Sequence, residues 1–349
     1  VVVFIYMGNA RIVEEVVNSL MLRPAENIRW VLNLCGVYVQ GWPPEKREKD
    51  ERWKLMRFCV NHQESLARDF KIFLTVDSGP LAEALNVAGR MPVLPMFQMT
   101  PLKGYRGGRF APSTPLNIVY PTNAQVQKGF DLLPDAIRLV CRKYKSPVRF
   151  RVRTYIPIER ERESLTESMS RLQECVEQIP GVMEGDSYLK MLETADIILL
   201  PYRANSFALR TSGQLVDAIL LNKPIVATRE TWAGEIVERF GCGVTFRDGD
   251  WKEFGKAIAK VLADYSYFYQ KAVCARERWI LSNNSCEFAK SVLASFSTAD
   301  LETKESFLSE QKALAEEFRK RFHQPPREKR SFRNEVLKLV HGLYQSIRK

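Results

Sequence analysis

Apolar segments typical of buried strands alternate with helical patterns along most of the chain. In the first third, strands are predicted at residues 1–7, 30–39, 72–76 and 92–96, and helical patterns at 10–22 and 80–88, with a charged segment at 45–69. Repeated alternation of strands and helices predicts a parallel sheet.

A second alternating set begins at residue 116. Its predicted strands are 116–120, 148–155, 197–202, 224–228 and 244–246, and its predicted helices are 130–144, 161–178, 214–221, 251–264 and 267–281. Between the two sets, residues 100–115 are rich in Gly and Pro and are predicted to be an interdomain linker. Two such sets in series predict an α/β protein with two Rossmann-like domains.

The predicted boundaries are an amino-terminal Rossmann-like domain at 1–112, which is short or incomplete, a second Rossmann-like domain at 113–298, and a helical extension at 299–349. The extension is basic: from Arg319 to Lys349 there are ten Lys or Arg and two Glu, within a formal net charge of +11 for the whole chain. An amphipathic cationic helix suits contact with anionic lipid. The same apolar stripe also suits packing on the amino-terminal domain.

Composition narrows the class of protein. The 349 residues suffice for two domains with their own cores, and the sequence has no apolar run of the roughly 20 residues that a membrane-spanning helix needs. Seven scattered cysteines predict reduced thiols in a cytoplasm-like compartment, and the dispersed histidines and cysteines predict no metal centre. The basic tail lacks interleaved aromatic residues, which disfavours nucleic acid as a partner.

The stretch from residue 185 to 243 carries the clearest indication of function. It contains a buried-type strand, the loop Arg210, Thr211, Ser212 and Gly213, a helix, and a second strand. A loop that opens a helix above parallel strands presents free backbone N–H groups and the positive end of the helix dipole. We therefore expect a phosphate or diphosphate at this loop. The alternative is an ordinary helix cap formed by Thr or Ser, which leaves Arg210 unexplained.

Residues 116–281 resemble the donor-binding domain of GT-B glycosyltransferases, specifically the group 1 (family 4) superfamily. Lys128 and Gly129 stand where that family has a Lys-Gly pair, and the resemblance implies that the lysine contacts the donor diphosphate. The alternative is a solvated lysine followed by a turn glycine. The arginine that the family often has five residues earlier is replaced by Asn123.

The central loop departs from the family's two glutamates separated by seven residues. Asp217 matches the second, and the resemblance implies that its carboxylate binds the ribose hydroxyls. Leu209 stands at the first position and cannot accept a hydrogen bond through its side chain. Arg210 and the three residues after it replace that acidic feature with donors for a diphosphate.

Other family features are weaker. Backbone near 183–185 is a candidate nucleobase contact, and Thr228 and Glu235 are candidates for lining the cleft. The catalytic residues stay unassigned: His62 fits a surface or capping histidine better than a base. No cofactor is expected beyond the nucleotide-sugar, which serves as co-substrate.

The resemblance implies a metal-independent, retaining glycosyltransferase that moves a sugar from a nucleotide-sugar to a saccharide or lipid-linked saccharide. It also implies that 113–298 is the nucleotide-sugar donor-binding domain and 1–112 the acceptor-side domain. A cytoplasmic location, with or without membrane association, fits this expectation. The second hypothesis is a non-catalytic GT-B module that binds a nucleotide or glycan or acts as a scaffold. Leu209, Asn123 and the short amino-terminal region favour it.

Overall fold

Two parallel β-sheets organise the described part of the chain. The computed structural model describes residues 2–7, 28–35, 48–96, 112–144, 147–170, 176–183 and 185–296. The first sheet has three strands and lies in the amino-terminal region, and the second has six. This arrangement confirms the predicted α/β class with its two strand-helix units.

The amino-terminal sheet has the order β1-β2-β3. Its strands are β1 (Val2–Met7), β2 (Arg29–Leu34) and β3 (Ile72–Val76). Its helices are α1 (Glu51–Asn61), α2 (Gln63–Phe70) and α3 (Gly79–Ala84). Every residue of β3 is buried, and the core beside it includes the large side chains of Trp53, Phe58 and Phe70.

The larger sheet has the order β6-β5-β4-β7-β8-β9, and all its pairings are parallel. Its strands are β4 (Leu116–Tyr120), β5 (Val148–Arg153), β6 (Val176–Ile179), β7 (Ile197–Leu200), β8 (Ile225–Thr228) and β9 (Gly243–Phe246). The chain moves outward from β4 in one direction through β5 and β6. It then returns to the other side of β4 for β7, β8 and β9, so that β4 and β7 border a topological switch point.

Helices cover both faces of this sheet. They are α4 (Leu133–Lys143), α5 (Arg162–Ser170), α6 (Gly185–Glu193), the one-turn α7 (Ala204–Phe207), α8 (Gly213–Leu220), α9 (Trp232–Phe240), α10 (Trp251–Ala263), α11 (Tyr265–Ser282) and α12 (Ser285–Ala294). Successive strand residues enter opposite cores: Ile118 packs with α4 and α10, while Val119 packs with α6, α8 and α9.

Two predicted elements are corrected. Helix α5 covers Arg162–Ser170 of the helix predicted at 161–178, whereas Val176–Ile179 forms the edge strand β6. Strand β6 lies at the edge of the sheet, and its two central residues are polar and exposed. It therefore lacks the apolar run that predicts a buried strand. The predicted strand at 92–96 is reduced to an isolated bridge between Val76 and Val93.

Some predictions fall outside the described residues. The basic extension at 299–349 lies there entirely, and so does most of the predicted linker, residues 100–111. The helical pattern at 10–22 also lies outside. The domain boundaries at 112 and 298 stay predictions.

Candidate functional site

The candidate residues gather where the strands of the six-stranded sheet end. Lys128 follows β4, Arg210 follows β7, and Asp217 lies on α8 after the same strand. Because the strands are parallel, their carboxyl ends share one edge of the sheet, and the switch point between β4 and β7 opens there. Crevices at such points are the usual ligand sites of open α/β sheets.

The turn at Lys128 and Gly129 packs directly against the loop after β7. Gly129 has φ of +71°, and a Cβ atom there would lie 1.8 Å from the carbonyl oxygen of Pro201. Both the backbone conformation and the lack of space require glycine. The backbone N–H of Arg203 donates to the Gln127 carbonyl at 3.0 Å, which joins the two loops.

The ammonium group of Lys128 lies in an electropositive environment. Its pKa is lowered to about 8, chiefly by burial and in addition by the guanidinium groups of Arg210 and Arg153. The lysine still carries its charge for most molecules at neutral pH. An anion bound beside it would raise the pKa again.

Arg210 lies on an aromatic stack. Its guanidinium carbon is 4.4 Å from the centroid of the Phe207 ring. Phe207 in turn stacks on Tyr202, with the ring centroids 4.2 Å apart. A cation over a ring is held in place without losing its charge.

Two of the three residues after Arg210 are held by side-chain contacts, and the third is open to solvent. Ser212 caps α8, since its hydroxyl accepts from the Leu215 N–H at 3.3 Å. The Thr211 hydroxyl donates to Asp77 at 3.2 Å. Gly213 is exposed and would leave a Cβ atom in open space. Both hydroxyls are thus engaged within the protein, whereas the space above Gly213 is free for a ligand.

Asp217 receives a hydrogen bond from Tyr188, whose hydroxyl donates to Oδ2 at 3.2 Å. Burial raises the pKa of Asp217 to about 6, although the hydrogen bond from Tyr188 opposes part of this rise. At neutral pH the carboxyl is mainly ionised. It therefore acts as a hydrogen-bond acceptor, the property that binding a sugar hydroxyl requires.

Leu209 and Asn123 occupy positions where the family has charged residues, and both have structural contacts. Leu209 is 9% exposed and packs in the hydrophobic core of the amino-terminal sheet. Its carbonyl accepts from the Ser78 hydroxyl at 2.9 Å. The Asn123 carbonyl accepts from Tyr120 at 3.1 Å. The loop that precedes Arg210 thus belongs to both units.

The candidates for lining the cleft and contacting the nucleobase differ in burial: Thr228 is buried, Met183 is partly buried and Glu235 is exposed. Thr228 ends β8 and is fully buried, and its carbonyl accepts from the Thr231 hydroxyl that caps α9. Glu235 lies exposed on α9, and partial burial of its carboxyl group raises its pKa, with Arg239 opposing and Glu83 adding to the shift. Met183 packs against the core of the six-stranded sheet. These contacts indicate a structural role for each of the three residues.

His62 stacks on Phe58 with ring centroids 4.3 Å apart, and its Nδ1 lies 2.9 Å from the Phe58 carbonyl. It follows α1 and stands at the amino end of α2, in the helical layer of the amino-terminal sheet. Within the described ranges, no group of three or more His, Cys, Asp or Glu could hold a metal ion. Likewise, no helix in the described part of the chain is long and apolar enough to span a membrane. Metal independence and membrane association stay predictions.

Sequence reasoning did not single out Arg153 or Tyr188 as individual residues. Arg153 is the last residue of β5 and is 8% exposed. Tyr188 lies on α6 and reaches Asp217 across the sheet edge. Only the position of Arg153 at a strand end distinguishes it from two other arginines of the same strand, and a single sequence does not show which of them is buried.

Residues 115–264 match the family model described as glycosyl transferases group 1. No curated protein sequence matches the chain significantly.

Solved structures resemble the chain in fold. TarM of S. aureus superposes with a TM-score of 0.60 at 13% identity, covering 84% of this chain and 54% of TarM. Sucrose-phosphate synthase from Thermosynechococcus elongatus gives 0.59 at 15% identity, covering 85% and 73%. HepE of Anabaena, solved with UDP, gives 0.58 at 16% identity, covering 85% and 79%.

This likeness shows that the chain has the GT-B fold of these proteins. The chain spans about half the length of TarM.

Proposed function

From the group 1 glycosyltransferase domain that residues 115–264 form, we propose that the chain transfers a sugar from a nucleotide-sugar donor to an acceptor hydroxyl. The observation that carries this proposal is the cationic edge at the switch point. Lys128 and Arg210 lie close enough to affect each other electrostatically, beside the amino end of α8. Such groups stabilise the charge that develops on a departing nucleoside diphosphate.

The donor's ribose is assigned to Asp217. The carboxylate is an acceptor at neutral pH and is held by Tyr188 on a neighbouring helix. The structural neighbour HepE was solved with UDP, which makes a uridine diphosphate sugar the first donor to test. The acceptor is a saccharide or a lipid-linked saccharide, and transfer retains the anomeric configuration, as the family resemblance implies.

A specific observation favours the second candidate function, a binding module without turnover. Where the family has a glutamate, Leu209 packs in the core of the other sheet. A side chain placed there cannot take part in the chemistry. The two candidates share the same nucleotide site and differ only in whether the sugar is transferred.

Two measurements distinguish these functions. Thermal unfolding with UDP-, GDP-, CMP- and dTDP-linked sugars tests donor binding, since a ligand of the folded state raises the melting temperature. Release of the nucleoside diphosphate, with and without saccharide acceptors, then tests turnover. Stabilisation with release supports the enzyme, and stabilisation without release supports the module.

Variants test the site itself. We expect Lys128→Ala and Arg210→Ala each to weaken donor binding about 10-fold or more, because each removes a charged contact to phosphate. Lys252→Ala removes an exposed lysine on α10 and serves as the matched control. Unchanged affinity in both site variants would contradict the assignment.

A further inference from the structure

Three arginines lie on one face of β5 and have different environments. Arg149, Arg151 and Arg153 alternate along the strand, so that their side chains share a face. Arg149 is exposed, and Arg151 forms a two-point contact with Glu177 of β6, with both N–O distances 3.1 Å. Arg153, at the carboxyl end of the strand, is 8% exposed. The buried arginine is thus the one at the edge that holds the candidate site.

The guanidinium of Arg153 makes few contacts for a buried cation. Its Nη1 donates to the Pro121 carbonyl at 3.3 Å. In the described part of the chain, its Nε is buried and has no hydrogen-bond partner, and no carboxylate forms a salt bridge with the side chain. Burial of a charge is costly unless the charge is paired and hydrogen-bonded. Packing alone therefore does not explain the residue.

The Arg153 guanidinium shares a hydrogen-bond acceptor with Gln214, and this shared acceptor shows where the guanidinium lies. The Gln214 side chain donates to the same Pro121 carbonyl at 3.4 Å. Gln214 is the second residue of α8, so the guanidinium lies beside the first turn of that helix. Arg153 also affects the pKa of Lys128, which places the two cations near each other. Arg153 and Lys128 thus lie near each other at the edge of the sheet where α8 begins.

We propose that Arg153 binds the diphosphate of the donor together with Lys128, and this proposal rests on the proposed function. It supplies from the end of β5 a second cation that the loop after β4 lacks, since Asn123 is uncharged and its carbonyl bonds to Tyr120. The unpaired Nε and the remaining guanidinium donors form hydrogen bonds to phosphate oxygens. The anion then offsets the cost of burying two cations.

The test measures affinity by calorimetry with three probes: UDP, inorganic pyrophosphate and uridine. Arg153→Gln removes the charge and keeps an amide donor for the Pro121 carbonyl. Arg153→Lys keeps the charge but loses the planar fork of donors. Arg151→Gln removes a charge from the same face of the same strand and is the matched control.

We expect Arg153→Gln to weaken UDP and pyrophosphate about 10- to 100-fold, the effect of one or two charge-assisted hydrogen bonds. Uridine, which has no phosphate, should bind the variant as well as the wild type. Arg153→Lys should show a smaller loss, and Arg151→Gln none. The dependence of affinity on salt should also weaken in Arg153→Gln, because one fewer charge meets the anion.

The melting temperature of the protein without ligand distinguishes a role of Arg153 in ligand binding from a role in the stability of the fold. If Arg153 serves the ligand, the Arg153→Gln protein without ligand should melt at the wild-type temperature or above it, because an unpaired buried charge has been removed. A lower melting temperature together with unchanged UDP affinity would overturn the proposal. A second result would also overturn the proposal. In it, Arg153→Lys binds pyrophosphate as tightly as the wild type does, and Arg153→Gln either binds equally well or is unfolded. If the wild type binds neither pyrophosphate nor any nucleotide of the UDP, GDP, CMP and dTDP panel, the proposed function itself is wrong.

Discussion

The two loops that border the candidate site are held in different ways. The loop that ends at Gly129 is held by contacts within its own unit: Gly129 meets Pro201, and the carbonyls of Asn123 and Lys128 accept from Tyr120. The loop from 208 to 213 is shared between the units. Leu209 packs in the amino-terminal core while Ser212 caps α8.

This difference assigns the loops separate tasks. The first fixes the position of one charge relative to the six-stranded sheet, whatever the amino-terminal sheet does. The second ties Arg210 to the amino-terminal unit, because Leu209 and Thr211 on either side of it contact Ser78 and Asp77. Variants of the loop that ends at Gly129 should therefore affect the six-stranded unit alone. Variants of the loop from 208 to 213 should affect both units.

The largest effect is expected for Gly129→Ala. The new Cβ atom would overlap the Pro201 carbonyl at a positive φ, so we expect a loss of about 3 kcal/mol in the free energy of unfolding. Denaturation by urea measures it. Gly241→Ala is the matched control: Gly241 has φ of +65° with open space around a Cβ atom, and only the backbone cost of about 1 to 2 kcal/mol should remain. Equal losses in the two variants would contradict the packing of the first loop.

Next in size is Leu209→Ala, which tests the shared loop. Truncation of a leucine buried in the amino-terminal core should cost about 2 to 3 kcal/mol. Leu293→Ala, at a leucine that is 60% exposed, should change stability by less than about 0.5 kcal/mol. Hydrogen exchange should show faster opening of α3 as well as of α8 in Leu209→Ala. Faster exchange in α8 alone would show that the loop does not join the two units.

Asp217→Asn should make the protein more stable at neutral pH. The pKa of Asp217 is about 6 in the folded protein, above its ordinary value of 3.8. The contribution of this group to stability is therefore fully present below pH 4 and is lost as the pH rises through 6. Removal of the charge should recover about 2 kcal/mol at pH 7 and nothing at pH 4.

Urea unfolding at a series of pH values measures this gain, with Asp186→Asn, at an exposed carboxylate on α6, as the control. The same Asp217→Asn variant should bind UDP more weakly. A stability difference that does not depend on pH would show that burial does not perturb this carboxyl group.

The smallest effect is expected for Thr211→Val, which removes the hydrogen bond to Asp77. The loss should be about 1 kcal/mol, the usual value of one buried hydrogen bond. A double-mutant cycle with Asp77→Ala, which removes the acceptor, measures the coupling between the two side chains. Thr211→Ser keeps the hydroxyl and should retain most of the stability. Strictly additive effects of the two changes would show that this contact between units is weak.

The sequence predicted the six-stranded unit better than the three-stranded one, for a physical reason. Strands β4, β7 and β8 are buried on both faces, so each is a short apolar run between turns. Edge strand β6 has exposed polar residues at its centre and was predicted as helix. In the amino-terminal region, helices α1 and α2 carry so many charged residues that their sequence predicts only a charged segment.

Within the site, the sequence identified residues with a local signature. Gly129 and Lys128 follow a strand, and Ser212 precedes a helix. Arg153 has no local signature, since it alternates with Arg149 and Arg151, and only the three-dimensional structure distinguishes the buried member. The burial of Leu209 depends on how the two sheets meet, which no short stretch of sequence encodes.

The packing of Leu209 has a practical consequence for work with fragments. A fragment that begins near residue 112 would lack α3 and the rest of the amino-terminal core, and Leu209 and Ala208 would face water. Such a patch promotes self-association. A serine in place of Leu209 should therefore give a better-behaved fragment for crystallisation and titration with nucleotides.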